Sequence, residues 1–406
     1  KDERKQMEGL LKAALDEGFL GMSTMDSPWD KMDGEKYWSH KTPSFYASWG
    51  ERKNLIDLLR KEDAILQGAP NLVTRISVLN YIIASSGIFR KRLKTTMIAM
   101  MDLIGDRYIL PLSNVVSWFG NKVLRSDFRM QSPPTPFTVY YNGIDSVMFE
   151  EFPSGEALRH LAKNLDRRNE KIKDPKFRVE FKREIKRKFA PKVWHKDLSK
   201  STILQCPDES LIGKNFYQVA EERKQHPVDT FLDLIIDYDK QISWTTTIAN
   251  DRPEKYKTIY DNANNLISFS DAGAHLNNMA FYDFPLQMIK RVQESIDNNN
   301  PIMSMEHCIW RLSKELADWF KIDTGELKEG KPADVVLVNP NYLKSVTDTV
   351  HTAPIEEFDG YPRLVNRNHK TIHSVIVNGK VIYSDEEFVE GYGKSKRYGV
   401  FKRRIA

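Results

Sequence analysis

The segment RLSKELADWFKIDTGELKEGKPADVVLVNP, residues 311–340, changes its hydrophobic period halfway along. Together with the residues before it, MSMEHCIWRLSKELADWF (303–320) carries apolar side chains at helical spacing, which predicts one helix. A polar, Gly-containing stretch follows, and KPADVVLVNP (331–340) reads as a strand. Further on, HSVIVNGKVIYSD (373–385) predicts a hairpin turning at Asn378-Gly379, since this pair tolerates the left-handed backbone of a tight turn. The helical rhythm stops near residue 330. The expectation is an α/β body over 1–330 and a small β-rich appendage over 331–406.

Upstream of that boundary, helix and strand alternate. Residues 3–18 are apolar at helical spacing up to Gly18, and GFLGMST (18–24) reads as a short strand. ERKNLIDLLRKED (51–63) is an amphipathic helix, AILQGAPN (64–71) a strand, and FRKRLKTTMIAMM (89–101) a basic segment entering an apolar strand. Such alternation favours parallel pairing, because parallel strands need crossovers. The aromatic, Pro-containing stretch 115–143 reads as an irregular excursion, and an irregular insertion is expected near 115–200. Residues 155–190 read as a solvated amphipathic helix pair. Beyond 200, STILQC (201–206) and NLISFSDAGAH (265–275) are expected strands, and 210–225 and 226–239 expected helices.

Composition excludes several classes. Hydrophobic residues make up 40% of the 406, enough for a large core and too many for a disordered chain. A net charge of +5 is too mild to argue for nucleic acid. Two cysteines exclude a disulfide scaffold and fit a reducing compartment, so the cytoplasm is expected. No apolar run is long enough to span a membrane, so no membrane partner is expected.

The residues that could carry chemistry cluster in SFSDAGAH (268–275), where Ser270, Asp271 and His275 follow an apolar strand. Sites in α/β sheets and barrels are built at strand C-terminal ends. A carboxylate there can ligate a metal or take a proton from water, although Asp271 could equally cap the next helix. His40 lies in the aromatic loop YWSHKTPSFYASW (37–49), a kind of loop that contacts substrates in barrels. Arg75, Arg252 and Arg363 could each clamp a substrate carboxylate, Arg252 being first choice, with a surface salt bridge as the competing role. Cys206 and Cys308 read as buried thiols, and His226 before Pro227 as a helix-start residue.

These elements resemble the amidohydrolase superfamily. Its closing signature, G-x-L-x-x-G-x-x-A-D-l-v-v-v-x-P, is matched by Gly325, Leu327, Gly330, Ala333, Asp334 and Pro340. VNGKVIYSD (377–385) resembles a later family strand, and SFSDAGAH the strand that carries the family's catalytic Asp. GFLGMST and CPDESLIGKNFYQVAEERKQHPVDTFLDLI (206–235) resemble the N-acyl-D-amino-acid deacylase subgroup. The resemblance implies a TIM-like (β/α)8 barrel, partial in this chain, with a small β-sandwich. It also implies zinc, one or two divalent ions, acting on a small-molecule amide.

By the same resemblance, Asp271 is the acid/base and a metal ligand, and His275, Gln67, Arg252 and His40 contact substrate. The family's His-x-His pair has no counterpart among the nine histidines, and the chain opens near the family's fourth strand. An upstream segment or second chain is therefore expected to complete the barrel and supply further ligands. Gln67 stands where a ligand His is wanted, and LKTTMIAMM (93–101) has no His. The function expected is hydrolysis of an amide C–N bond of an N-acyl (D-)amino acid. The alternative is a metal-free barrel acting as a binding or scaffold subunit.

Overall fold

The computed structural model describes residues 2–32, 36–71, 76–187, 193–270, 277–346, 350–356 and 359–405. After α1 (Asp2–Asp16) come β1 (Gly21–Met25), α2 (Pro43–Tyr46), α3 (Trp49–Lys61), β2 (Ile65–Ala69), α4 (Ile76–Ser85) and β3 (Lys94–Ile98). Then α5 (Ile109–Lys122) leads to β4 (Asp127–Gln131). The strands β1 to β4 pair in parallel in chain order. A fifth parallel strand, β8 (Asn265–Leu266), joins β4 after a long insertion. Among the described residues, β1 and β8 have no second neighbour in this sheet, which is an open arc.

Local chemistry sets these elements. Ser48 and Glu51 form a reciprocal capping box at the start of α3, satisfying two N–H groups the helix leaves free. On β2 the side chains alternate. Leu66 packs with Ile56, Leu59 and Tyr81 in the layer between sheet and helices, whereas Ile65 meets Leu266 and Trp319 inside the arc. Gly68 lets α4 come close, because a Cβ there would lie 2.4 Å from the Tyr81 ring. Tyr81 then donates to the buried carboxylate of Asp26 at 2.9 Å, and Arg52 pairs with that carboxylate at 2.6 Å. Loop, helix and strand are thus locked together just beyond β1.

The stretch expected as an irregular excursion is regular. Residues 109–131 form α5 and β4, a full unit of the parallel sheet. ILPLSNVVSWFG exposes Leu112, Val115, Trp118 and Phe119 and buries Ser117 and Gly120, so its apolar pattern does not mark the face that packs on the sheet. The insertion proper is a second layer. It comprises β5 (Phe137–Asn142), α6 (Pro153–His160), α7 (Leu165–Lys173), α8 (Pro175–Ile185), β6 (Ser201–Gln205), α9 (Phe216–Arg223), α10 (Pro227–Tyr238) and β7 (Ser243–Ala249). Its sheet is antiparallel, in the order β5-β7-β6, so the strand expected at 201–206 forms but pairs within the insertion rather than in the parallel sheet. The expected helix pair is three helices, two of which start with Asp or Asn caps. The core of the insertion is aromatic. Tyr141 stacks on Trp244 at 3.8 Å, with Phe149, Trp194 and Phe231 around them.

Past α11 (Tyr256–Tyr260) and β8 come α12 (Phe284–Asp297), α13 (Met305–Leu312) and α14 (Lys314–Phe320). The single helix expected over 303–320 breaks at Ser313. Arg311 and Glu315 straddle the break as a buried pair at 2.6 Å, and Arg311 also donates to the Asn265 carbonyl at 3.0 Å. This fastens the closing helices to β8. The tail is β-rich: β9 (Val335–Val338), a hairpin of β10 (His351–Ile355) and β11 (Tyr361–Val365), β12 (Ile372–Val377), β13 (Lys380–Ser384) and β14 (Glu387–Phe388). Four of these form one antiparallel sheet, ordered β14-β13-β12-β9. Asn378 and Gly379 both take positive φ, 49° and 76°, as the hairpin reading requires. Among the described residues, no helix is long and apolar enough to cross a membrane.

The two layers of the body are joined at Asn250. Its side chain donates to the carbonyls of Pro133 and Thr135, both at 3.0 Å, and accepts from the Asp102 N–H at 2.9 Å. Its backbone N–H bonds Asp102 O at 3.0 Å. Asn250→Ala leaves three buried polar groups without partners and places alanine at a left-handed φ of 57°. Urea unfolding should show a loss of roughly 2–4 kcal/mol. A loss under about 0.5 kcal/mol, the scale of an ordinary surface change, would remove Asn250 as the joint.

Candidate functional site

All five strands of the arc run the same way, so their C-terminal ends share one face. Register fixes which side chains look into the arc. The row Ser23, Gln67, Thr96 and Arg129 lies one step below the row Met25, Ala69, Ile98 and Gln131 at the strand ends. The lower row is polar. Thr96 is fully buried with its Oγ1 unpaired among the described residues, as is the Oγ of Ser268 just past β8. Arg129 reaches Glu315 at 3.3 Å. Gln67, the half-buried centre of this row, is therefore placed to meet a polar group in the arc through its amide.

The upper row is apolar except for Gln131. A zinc site needs several imidazole, thiolate or carboxylate donors converging on one point. Among the described residues no group of three or more His, Cys, Asp and Glu side chains does so. The zinc implied by the sequence resemblance therefore finds no fit among them. Asp271 and His275 lie outside the described residues, as does Arg75. Of the strand expected over 265–275, Asn265–Leu266 pairs with β4, and residues 271–275 lie outside the described residues.

Arg252 is placed near this face but is engaged. Its Nε and Nη2 each donate to Asp102 at 2.6 Å, a bidentate clamp on a carboxylate with no exposed surface. Its role as first choice for a substrate carboxylate is thereby weakened, because the protein supplies that carboxylate itself. Arg107 adds a 3.0 Å bond to Asp102 and a bidentate pair with Asp251. Burial pushes Asp251 up, but the bond and charge of Arg107 outweigh it and hold its pKa below the ordinary value. Asp102 follows the apolar run TTMIAMM, and a lone acid directly after a strand is the sequence signal that marks it.

His40 stays exposed, its ring edge-on to Tyr37 at 6.2 Å, and its neighbour Ser39 is the residue that lines a cavity. That cavity, about 240 Å³, is polar and includes Lys31, Asp145, Glu150 and Arg159. Its charges are paired: Lys31 with Glu150 at 3.5 Å, Arg159 with Asp145, and, from outside the lining, Glu156 with Lys31 at 2.6 Å and Lys240 with Asp145 at 3.0 Å. Burial raises the pKa of Glu150 despite Lys31 and Arg159. Arg363 lies over the Tyr282 ring at 5.1 Å, in the tail. Cys206 and Cys308 are buried, and burial pushes Cys308 up to about 12, so both are thiols rather than nucleophiles. His226 caps α10, its Nδ1 accepting from the Val228 N–H at 3.1 Å.

At Asp145, burial alone would raise the pKa, but Arg159 and Lys240 lower it below the ordinary value. A depressed carboxylate contributes stability above its unfolded pKa of about 3.9, and loses it as pH falls through the folded value. Melting curves from pH 6 down to pH 2.5, on the order of the relevant window, should show a shallower acid decline for Asp145→Asn than for the parent. Identical acid limbs would contradict the pairing.

No family model matches the chain. Among solved structures, D-aminoacylase is similar at 16% identity and a TM-score of 0.49, over 96% of this chain and 65% of that one. The N-acyl-D-glutamate deacylase of Bordetella bronchiseptica, solved with zinc and a phosphonate inhibitor, is 14% identical with a TM-score of 0.48, over 95% and 64%. The chain thus spans under two thirds of the length of these structures, and no residue role is carried over from them. Sequence comparison reaches further. The uncharacterized protein Rv2913c of Mycobacterium tuberculosis and its Mycobacterium bovis counterpart Mb2937c are each 40% identical over 411 aligned positions, covering 99% of this chain and 67% of theirs. With that identity sustained along almost its whole length, the chain belongs to the family of these mycobacterial proteins.

Proposed function

We propose that this chain forms part of an amidohydrolase-type enzyme that cleaves the amide C–N bond of an N-acyl (D-)amino acid or a similar small amide. The observation that carries the proposal is the direction of β8. It runs parallel to β4, so the chain leaves the sheet through residues 267–270 at the same end as Met25, Ala69, Ile98 and Gln131, and Asp271 is the next residue in the sequence. That is the end at which parallel sheets carry their sites. The closing signature after residue 311 and the subgroup-like stretches at 18–24 and 206–235 support the same reading.

In this reading Asp271 is the acid/base. It takes a proton from the water that attacks the amide carbonyl, and returns it to the nitrogen as the C–N bond breaks, leaving a carboxylate and an amine. Gln67 and Thr96 offer hydrogen bonds to the substrate's polar groups from inside the arc. The second reading, a binding or scaffold subunit without metal, is favoured by the apolar strand-end row, which offers no imidazole or carboxylate. In the enzyme reading, the open edges at β1 and β8 are covered by an upstream segment or a second chain.

Asp271→Asn keeps the size of the side chain and removes its basicity. Hydrolysis of N-acyl-D-amino acids should fall by on the order of 10²-fold or more, with the melting temperature nearly unchanged. If Asp271 only caps a helix, asparagine caps as well, and both activity and stability survive. An Asp271→Asn protein of undiminished activity would end the enzyme proposal in this form.

A further inference from the structure

Two apolar cavities meet at Trp29, Pro70, Ile98, Ala99, Met101 and Val193. The larger, about 300 Å³, lies between α4, α5 and the helix-facing sides of β3 and β4, with Met97 and Met130 as its floor. Its mouth lies between Leu79 and Leu112, which are 55% and 45% exposed. The smaller, about 160 Å³, crosses the C-terminal ends of β1 to β3 and reaches Phe269, two residues before Asp271. Together they form an elongated passage from the outer helices to the strand ends.

The passage has a definite chemistry. Its walls are mostly apolar and methionine-rich, with Met25, Met148 and Met279 lining the inner part beside Ser27, Asp30 and Glu151. The carboxylate of Glu151, at that inner part, accepts from the backbone N–H groups of Val193 and Trp194, both at 3.1 Å. Asp106, near the outer part, accepts from the Tyr108 N–H at 3.2 Å. An apolar space of this kind holds water poorly and takes apolar ligands. Unbranched, polarizable methionines adapt to flexible ligands rather than to one rigid shape. At the outer end the exposed stripe of α5, with Val115, Trp118 and Phe119 at 61%, 53% and 45% exposure, continues the apolar surface beyond the mouth.

We propose that the joined cavities bind a linear aliphatic chain, the acyl group of the substrate, with its carbonyl end at Phe269 and its tail between Leu79 and Leu112. The identity of the head group rests on the amide-hydrolysis reading; the binding of the chain does not. The larger cavity sits at the lower end of the ~300–1,000 Å³ range of small-molecule pockets.

Decanoate, titrated calorimetrically into the intact protein, is the probe. It should bind saturably at one site, and acetate, which lacks the chain, should not compete. Val116→Trp fills the larger cavity and should weaken decanoate binding at least about tenfold. Leu112→Trp plugs the exposed mouth, where folding is little affected, and should do the same. Asp271→Asn removes a negative charge near the head group and should bind decanoate no more weakly than the parent, so a failure of the hydrolysis reading leaves this result intact. Absence of saturable decanoate binding in the parent, or parental affinity in Leu112→Trp, would overturn the proposal, whatever the hydrolysis assays show.

Discussion

Between β4 and β8 the chain leaves the parallel sheet from Ser132 to Asn264 and must return in register, and the hydrogen bonds of Asn250 are what return it. A detour of this length has little entropic reason to come back to one place, since loop closure alone discriminates weakly between positions. Asn250 answers this by joining the segments that follow β3, β4 and β7 through one buried amide. Beside it, Arg252 clamps Asp102 and Arg107 bridges Asp102 to Asp251. Asp102 has no exposed surface while both arginines are 32% exposed, so removing the arginines leaves a buried carboxylate uncompensated, which is far more costly than the pairs are stabilising. The clamp therefore works as a device of position, fixing the strand ends on which any chemistry here must depend.

The arc shows how chemistry is layered on that frame. Inside it, a polar row around Gln67 and Thr96 sits beneath an apolar row at the strand ends. Buried polar atoms without partners are uncommon in folded proteins, and Thr96 Oγ1 and Ser268 Oγ are two that face this interior region. The apolar row, in contrast, continues into the methionine-lined passage. Polar groups below and an apolar corridor above suit an amphipathic substrate better than a small polar one.

Motif residues also divide between chemistry and architecture. Asp334, the acid of the closing signature, accepts the Asn378 N–H at 2.8 Å and pairs with Lys402 at 3.3 Å. It fastens β9 to the hairpin turn and lies in the tail sheet. Gly325 has a φ of 84°, and a Cβ there would stand 2.9 Å from the Ser313 carbonyl. The signature thus marks the joint between closing helices and tail, a structural duty that sequence similarity alone cannot tell from a catalytic one.

The sequence by itself determined the elements whose signals are local. The amphipathic helix at 51–63, the strands around 21–25 and 65–69, the Pro-led helix at 227–238 and the Asn-Gly hairpin each follow from periodicity or turn chemistry within a few residues. It also placed Gln67 on a parallel strand. Only tertiary structure decided the rest. α5 exposes Val115 and Trp118 and buries Ser117 and Gly120, so its apolar pattern points away from its packed face, and β4 is too short to alternate visibly. Whether β6 and β7 run parallel or antiparallel depends on partners 40 residues and more away in sequence, which local patterns do not encode. Arg252 looks free in the sequence because its partner Asp102 lies 150 positions earlier. Charge pairing across that distance is set by the fold, and the fold turned a candidate substrate clamp into the bolt that holds two layers together.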